Sequence, residues 1–114
     1  MAAPVVHFEI MGTNAAKTQA YYRELFGWEI NADNPMNYGV VTPGDGGIGG
    51  GVGATPMGNT MVTVYAQVDD PQAALDKAVQ LGGQVVMPVT EIPNMVTFAL
   101  FADPDGNVVG IVKG

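Results

Sequence analysis

His7 and Glu9 stand two residues apart in Val5-Val6-His7-Phe8-Glu9-Ile10-Met11. The stretch alternates as a strand does, so both side chains leave the same face. An imidazole beside a carboxylate can hold or pass a proton near neutral pH, and the carboxylate either raises the imidazole pKa or orients the ring. A hydrogen-bonded, half-buried histidine or a buried ion pair would look the same from sequence, so a structural role stands beside acid/base work and ligand contact. A second polar set, Thr63, Tyr65 and Gln67, shares one face of Met61-Val62-Thr63-Val64-Tyr65-Ala66-Gln67-Val68. It can offer hydroxyl and amide contacts to a ligand or simply pack into a core. His7 is the only histidine, and the chain has neither Cys nor Ser. Disulfides, thiolate metal sites and Ser or Cys nucleophiles are therefore excluded.

The two polar sets are related by a repeat. An offset of 56 residues carries His7 onto Thr63, Leu25 onto Leu81 and Gly27 onto Gly83, so strand, helix, glycine stop and next strand recur in step. In the first copy, Val5 to Met11 reads as a strand. Asn14 caps a helix to about Phe26 in which Ala15, Gln19, Tyr22 and Phe26 recur near helical spacing, and Gly27 supplies the left-handed stop. Trp28 to Ile30 opens a strand, Asn31 to Pro35 is a turn cluster, and Tyr38 to Thr42 and Ile48 to Val52 are strands. After a linker from Ala54 to Asn59, the second copy reads Met61 to Val68 as a strand. Asp70 before Pro71 then begins a helix to Leu81, stopped by Gly82-Gly83. Gln84 to Met87, Met95 to Phe101 and Asn107 to Val112 are the remaining strands, with Pro88 to Asn94 a loop and Asp103-Pro104-Asp105-Gly106-Asn107 a turn. The expected fold is α+β: two tandem βαβββ modules, about 4–53 and 60–113, in a curved eight-stranded mixed sheet with helices on its outer face. Since the strand period groups His7 with Glu9 and Thr63 with Tyr65, the repeat predicts one cavity lined by His7, Glu9, Tyr38, Thr63, Tyr65 and Phe98.

Composition narrows the partners. The chain has 114 residues, 47% hydrophobic and 13% charged, with a net charge of −7. Its four cationic side chains, Lys17, Arg23, Lys77 and Lys113, are too few to neutralise a phosphate backbone, so nucleic acid is not an expected partner. No apolar run approaches the roughly 20 residues of a membrane span, and Met1-Ala2-Ala3-Pro4 lacks the features of a secretory signal, so no membrane association and a cytoplasmic location are expected. The apolar content of so small a domain predicts a homodimer. Gly44-Asp45-Gly46-Gly47-Ile48-Gly49 fits G-x-G-x-x-G, but no helix former follows it. A bulge or a close backbone approach is expected there instead of a dinucleotide site.

Tyr21-Tyr22-Arg23-Glu24-Leu25-Phe26-Gly27-Trp28, Val68-Asp69-Asp70 and Phe101-Ala102-Asp103-Pro104-Asp105-Gly106-Asn107 resemble the vicinal oxygen chelate superfamily, which includes glyoxalase I, bleomycin-resistance proteins and extradiol dioxygenases. The resemblance covers nearly the whole chain and implies a fold, not one reaction. Its metalloenzymes place a His, Gln or Glu ligand on the first and last strand of each module. Here His7 matches the first such position, while Ile48-Gly49-Gly50-Gly51-Val52, Thr63 and Gly110 stand at the other three. No metal and no cofactor are expected. The resemblance implies a bleomycin-resistance-like protein that binds a small molecule in a cavity without the family metal centre, and the net charge of −7 favours an apolar or cationic one. The alternatives are a metal- or acid/base-dependent lyase or isomerase of glyoxalase type using His7 and Glu9 as catalytic groups, or a dimeric interaction module with a vestigial cavity. Tyr38, Thr63, Tyr65, Gln67 and Phe98 are the expected ligand contacts.

Overall fold

The computed structural model describes residues 2–55 and 58–114, so residues 56 and 57 of the expected linker lie outside the described residues. The chain is α+β, with eight strands in a mixed sheet and two helices. It divides into two compact units, His7–Thr63 and a second made of Val64–Gly114 with the residues up to Val6.

In the first unit β1 (Val5–Gly12, whose first two residues belong to the second unit) is followed by α1 (Ala15–Phe26), β2 (Ile30–Asn31), β3 (Gly39–Val41) and β4 (Gly49–Ala54). The strand order is β2-β3-β4-β1, with β1 and β4 parallel and the other pairs antiparallel. Asn14 caps α1 by accepting from the Lys17 amide, a cap whose loss costs about 1 kcal/mol, and Gly27 ends the helix at φ 68°. Trp28 is a ring contact and not a strand residue. It lies 5.3 Å from Phe8, 5.5 Å from Tyr22 and 5.1 Å from Phe26, centroid to centroid, and pairing begins only where Thr42 donates to the Glu29 carbonyl. Burial of that indole outweighs its strand propensity. The core on the helix side is Ile30, Val41 and Val52, with Phe8, Ile10, Tyr22 and Trp28 packed against it.

The second unit holds β5 (Met61–Val68, whose first three residues belong to the first unit), α2 (Pro71–Gln80), β6 (Gln84–Ile92), β7 (Val96–Ala102) and β8 (Val108–Lys113), in the order β5-β8-β7-β6. Asp70 caps α2 by accepting from the Ala73 amide, and Pro71 occupies its first turn. The repeat is not exact at the helix end: Gly82, at φ 105°, takes the left-handed position, one residue before the Gly83 that the offset aligns with Gly27. The expected loop from Pro88 is instead strand, since β6 continues to Ile92. Register shifts on either side of Met87 accommodate the missing Pro88 N–H in a strand at the end of the order, as proline in a sheet requires. Asn94, at φ 63°, then turns the chain into β7. At the Asp103–Asn107 turn, the Asp103 carboxylate accepts from the Asp105 and Asn107 amides and from the Asn107 side chain. Those bonds, the Asn107 side chain foremost, hold the exposed carboxyl below its usual pKa. Leu75, Ala99 and Ile111 form this unit's helix-side core.

Candidate functional site

In the first unit, β1 sends Phe8 and Ile10 toward the α1 core and His7 and Glu9 to the opposite face. Beside them β4 contributes only glycines to that face: His7 pairs with Gly49, Glu9 with Gly51 and Met11 with Gly53. The register runs without a bulge from Gly49 to Ala54, so the glycine tract serves close approach. What approaches is Tyr38. A Cβ at Gly51 would overlap the Tyr38 hydroxyl and ring, and one at Gly53 would touch the same ring.

Tyr38 lies immediately before β3 at the end of a loop built for it. Asn34 Oδ1 accepts from the Tyr38 amide at 2.9 Å, and Asn34 Nδ2 donates to the Tyr38 carbonyl at 2.7 Å. Asn37 adopts φ 51°, a left-handed conformation that Asn tolerates better than most residues. The Tyr38 hydroxyl donates to Glu9 Oε2 at 2.8 Å and lies 2.9 Å from His7 Nε2. A phenol has one proton; with that proton on the Glu9 side, Nε2–H of His7 donates to the phenol oxygen. Burial lowers the His7 pKa below 6.5, against the opposing pull of the Glu9 charge, so the imidazole is neutral at pH 7. The sequence grouped His7 with Glu9, but in the structure Tyr38 bridges them. Nothing in local periodicity marks a residue 29 positions away as the bridge.

The second unit shows a related arrangement. Tyr65 of β5 pairs with Gly110 of β8, and a Cβ at Gly110 would overlap the Tyr65 ring. Under the 56-residue offset Tyr65 takes the place of Glu9, so Gly110 is the counterpart of Gly51 by register. Tyr65 is 6% exposed and meets Phe98 of β7 edge-on, with centroids 6.5 Å apart. Gln67 is exposed near the end of β5, and Thr63 is buried.

A divalent ion at the superfamily position would need a ligand on each module's last strand. The residues do not fit one: Gly51 and Gly110 carry no donor, and tyrosine rings occupy the space into which a longer side chain would extend. Among the described residues, no three His, Cys, Asp or Glu side chains group in a way that could hold a metal.

Residues 5–111 match the family model of the Glyoxalase/Bleomycin resistance protein/Dioxygenase superfamily, and the chain belongs to that superfamily. It is 31% identical over 122 residues to the putative glyoxylase CFP32 of Mycobacterium bovis and of Mycobacterium tuberculosis. The match covers 90% of this chain but 42% of those proteins, so the chain spans less than half the length of these relatives. Among solved structures, a superfamily member from Vibrio splendidus shares 17% identity at a TM-score of 0.65, covering 98% of each chain. Methylmalonyl-CoA epimerase from Mycobacterium tuberculosis shares 13% identity at a TM-score of 0.67, covering 96% of this chain and 86% of that one. These likenesses establish the fold.

Proposed function

We propose that this chain binds a small apolar or cationic molecule at the His7–Tyr38–Glu9 face, without the superfamily's metal centre. The observation that carries this reading is the Tyr38 ring lying over Gly51 and Gly53 with its hydroxyl between Glu9 and His7, which puts an aromatic surface and a carboxylate where a metal ligand would otherwise project. An aromatic face with an adjacent carboxylate attracts an organic cation through both its quadrupole and its charge. The net charge of −7 favours the same ligands at long range.

The bridge also favours a second reading, as a lyase or isomerase of the glyoxalase kind. A neutral imidazole joined through a phenol to a carboxylate can take a proton from carbon beside a carbonyl and return it to a neighbouring atom, which needs no outside reactant. The name of the mycobacterial relatives, putative glyoxylase, lends support to this reading.

Calorimetric titration with a panel of organic cations and uncharged molecules of the same shape separates the two. Glu9→Gln is expected to weaken a cation about tenfold or more, the worth of a hydrogen bond to a charged group, and to leave the uncharged partner nearly unchanged. Equal loss for both would sink the cationic reading. Turnover of a preformed hemithioacetal of a 2-oxoaldehyde to its 2-hydroxyacyl thioester, a shift of one proton between adjacent carbons, that disappears in His7→Gln would favour the enzyme.

A further inference from the structure

Gln19 is buried, with 4% of its surface exposed, on the face of α1 that also carries the half-buried Ala15, Thr18 and Tyr22. Its side-chain amide spends its donors on two backbone carbonyls, Asn37 at 2.9 Å and Val52 at 2.8 Å. One carbonyl belongs to the residue before Tyr38. The other belongs to the β4 residue between Gly51 and Gly53, the two glycines beneath the Tyr38 ring.

We propose that Gln19 is a positioning residue that sets the Tyr38 hydroxyl between His7 and Glu9, acting from the other face of the sheet. The proposal rests on reading that face as the binding surface. Three observations converge on it. The planar amide holds its two acceptors at a fixed separation, so the loop carrying Tyr38 cannot shift along β4 without breaking a buried hydrogen bond. Asn37, whose carbonyl accepts this bond, lies in the left-handed region, and its dihedral angles determine where the next side chain leaves the backbone. Gly39 completes the fit, because a Cβ there would crowd Ile30, the Val52 carbonyl and the Gln19 amide itself. Asn34 fixes the Tyr38 backbone from the loop side, and Gln19 ties that loop to the strand beneath the ring. A hydroxyl that must reach two partners at 2.8 and 2.9 Å leaves little room for drift.

The single histidine gives a clean test, because one imidazole Hε1 resonance reports the site in the whole protein without any ligand. Gln19→Met keeps the volume and removes the donors. It is expected to move the His7 titration midpoint in the same direction as Tyr38→Phe, by at least half as much, while the far-ultraviolet circular dichroism stays that of the parent. If Gln19→Met does not fold, Gln19→Asn, whose shorter amide cannot reach both carbonyls, is read the same way. A His7 midpoint equal to the parent's, with only a lower melting temperature, would show a purely structural glutamine and overturn the proposal. So would a Tyr38→Phe variant in which His7 does not move. Failure of the cation panel would overturn the binding reading and leave this result standing.

Discussion

Tyr38 turns two neighbouring side chains into a connected site, and its effect should be visible in how His7 titrates. Burial lowers the folded-state pKa of His7, so the unfolded chain takes up a proton more readily than the native one. This contribution to stability is fully present above pH 6.5, the ordinary histidine value, and is lost as pH falls through 6.5 toward the lower folded value. The melting temperature should therefore drop on acidification across that window, and the drop should be smaller in His7→Gln; an identical profile would contradict a buried, neutral His7. Metal content belongs to the same scale. With no donor at Gly51 or Gly110, protein purified without chelator is expected to hold no stoichiometric divalent ion at the superfamily position. About one equivalent of metal that disappears in His7→Ala would reverse that conclusion.

Among the elements, β4 is the least typical strand, with glycine at positions 49, 50, 51 and 53. Glycine weakens a strand interior, and here it makes room: Phe8 covers Gly50 on the core side, and Tyr38 covers Gly51 on the site side. Gly51→Ala is expected to destabilise by about 1–3 kcal/mol through overpacking, which exceeds the gain of about 0.4–1 kcal/mol from a less flexible unfolded chain. At Gly53 an added Cβ makes only ordinary contact, with its nearest atoms at 3.5 Å or beyond, so Gly53→Ala should be neutral or slightly stabilising. Adding Tyr38→Ala to Gly51→Ala should recover part of the loss. Chemical denaturation of the parent, the Gly51→Ala, Gly53→Ala and Tyr38→Ala single variants and the double variant checks the set, and additive effects of Gly51→Ala and Tyr38→Ala would mean the ring does not lie over Gly51. The Gly110 and Tyr65 pair in the second unit should behave the same way.

Over the whole molecule, apolar side chains remain outside both cores. Tyr21, Leu25 and Phe26 on α1 are 60%, 54% and 58% exposed, and Val62, Leu81 and Met95 are 75%, 69% and 66% exposed. Phe26 recurs at helical spacing with Ala15, Gln19 and Tyr22 along α1. It contacts Tyr22 and Trp28 by its ring while much of its surface faces outward. So many large apolar groups outside the core of a small acidic domain support the homodimer as a proposal, with a second copy as the occupant. Light scattering at micromolar concentration should give twice 11.8 kDa; the monomer mass would refute it. Tyr21→Glu with Leu25→Lys is expected to return the chain to monomer if α1 lies in the contact. No helix among the described residues is long and apolar enough to cross a membrane.

Local chemistry was enough to determine both helices and the central course of most strands. Asn14 and Asp70 cap their helices by short-range hydrogen bonds, Gly27 takes the left-handed stop, and β1 and β5 alternate as their side chains require, because each of these depends on residues within a turn or a strand of one another. The repeat and the late Asp-Pro-Asp-Gly turn placed the chain in its superfamily, and both lie on the surface of the sequence. Tertiary structure decided how those elements make a site. That Glu9 reaches His7 through Tyr38, that Gly51 lies under a phenol, and that Gln19 ties the loop to β4 all depend on register between segments 13 to 42 residues apart. Pro88 remained in a strand for the same reason, since bulged pairing with β7 outweighed its local preference for a loop. Short-range preferences are written residue by residue, whereas which side chain fills the space above a glycine is settled only when strands distant in sequence pair and their faces meet.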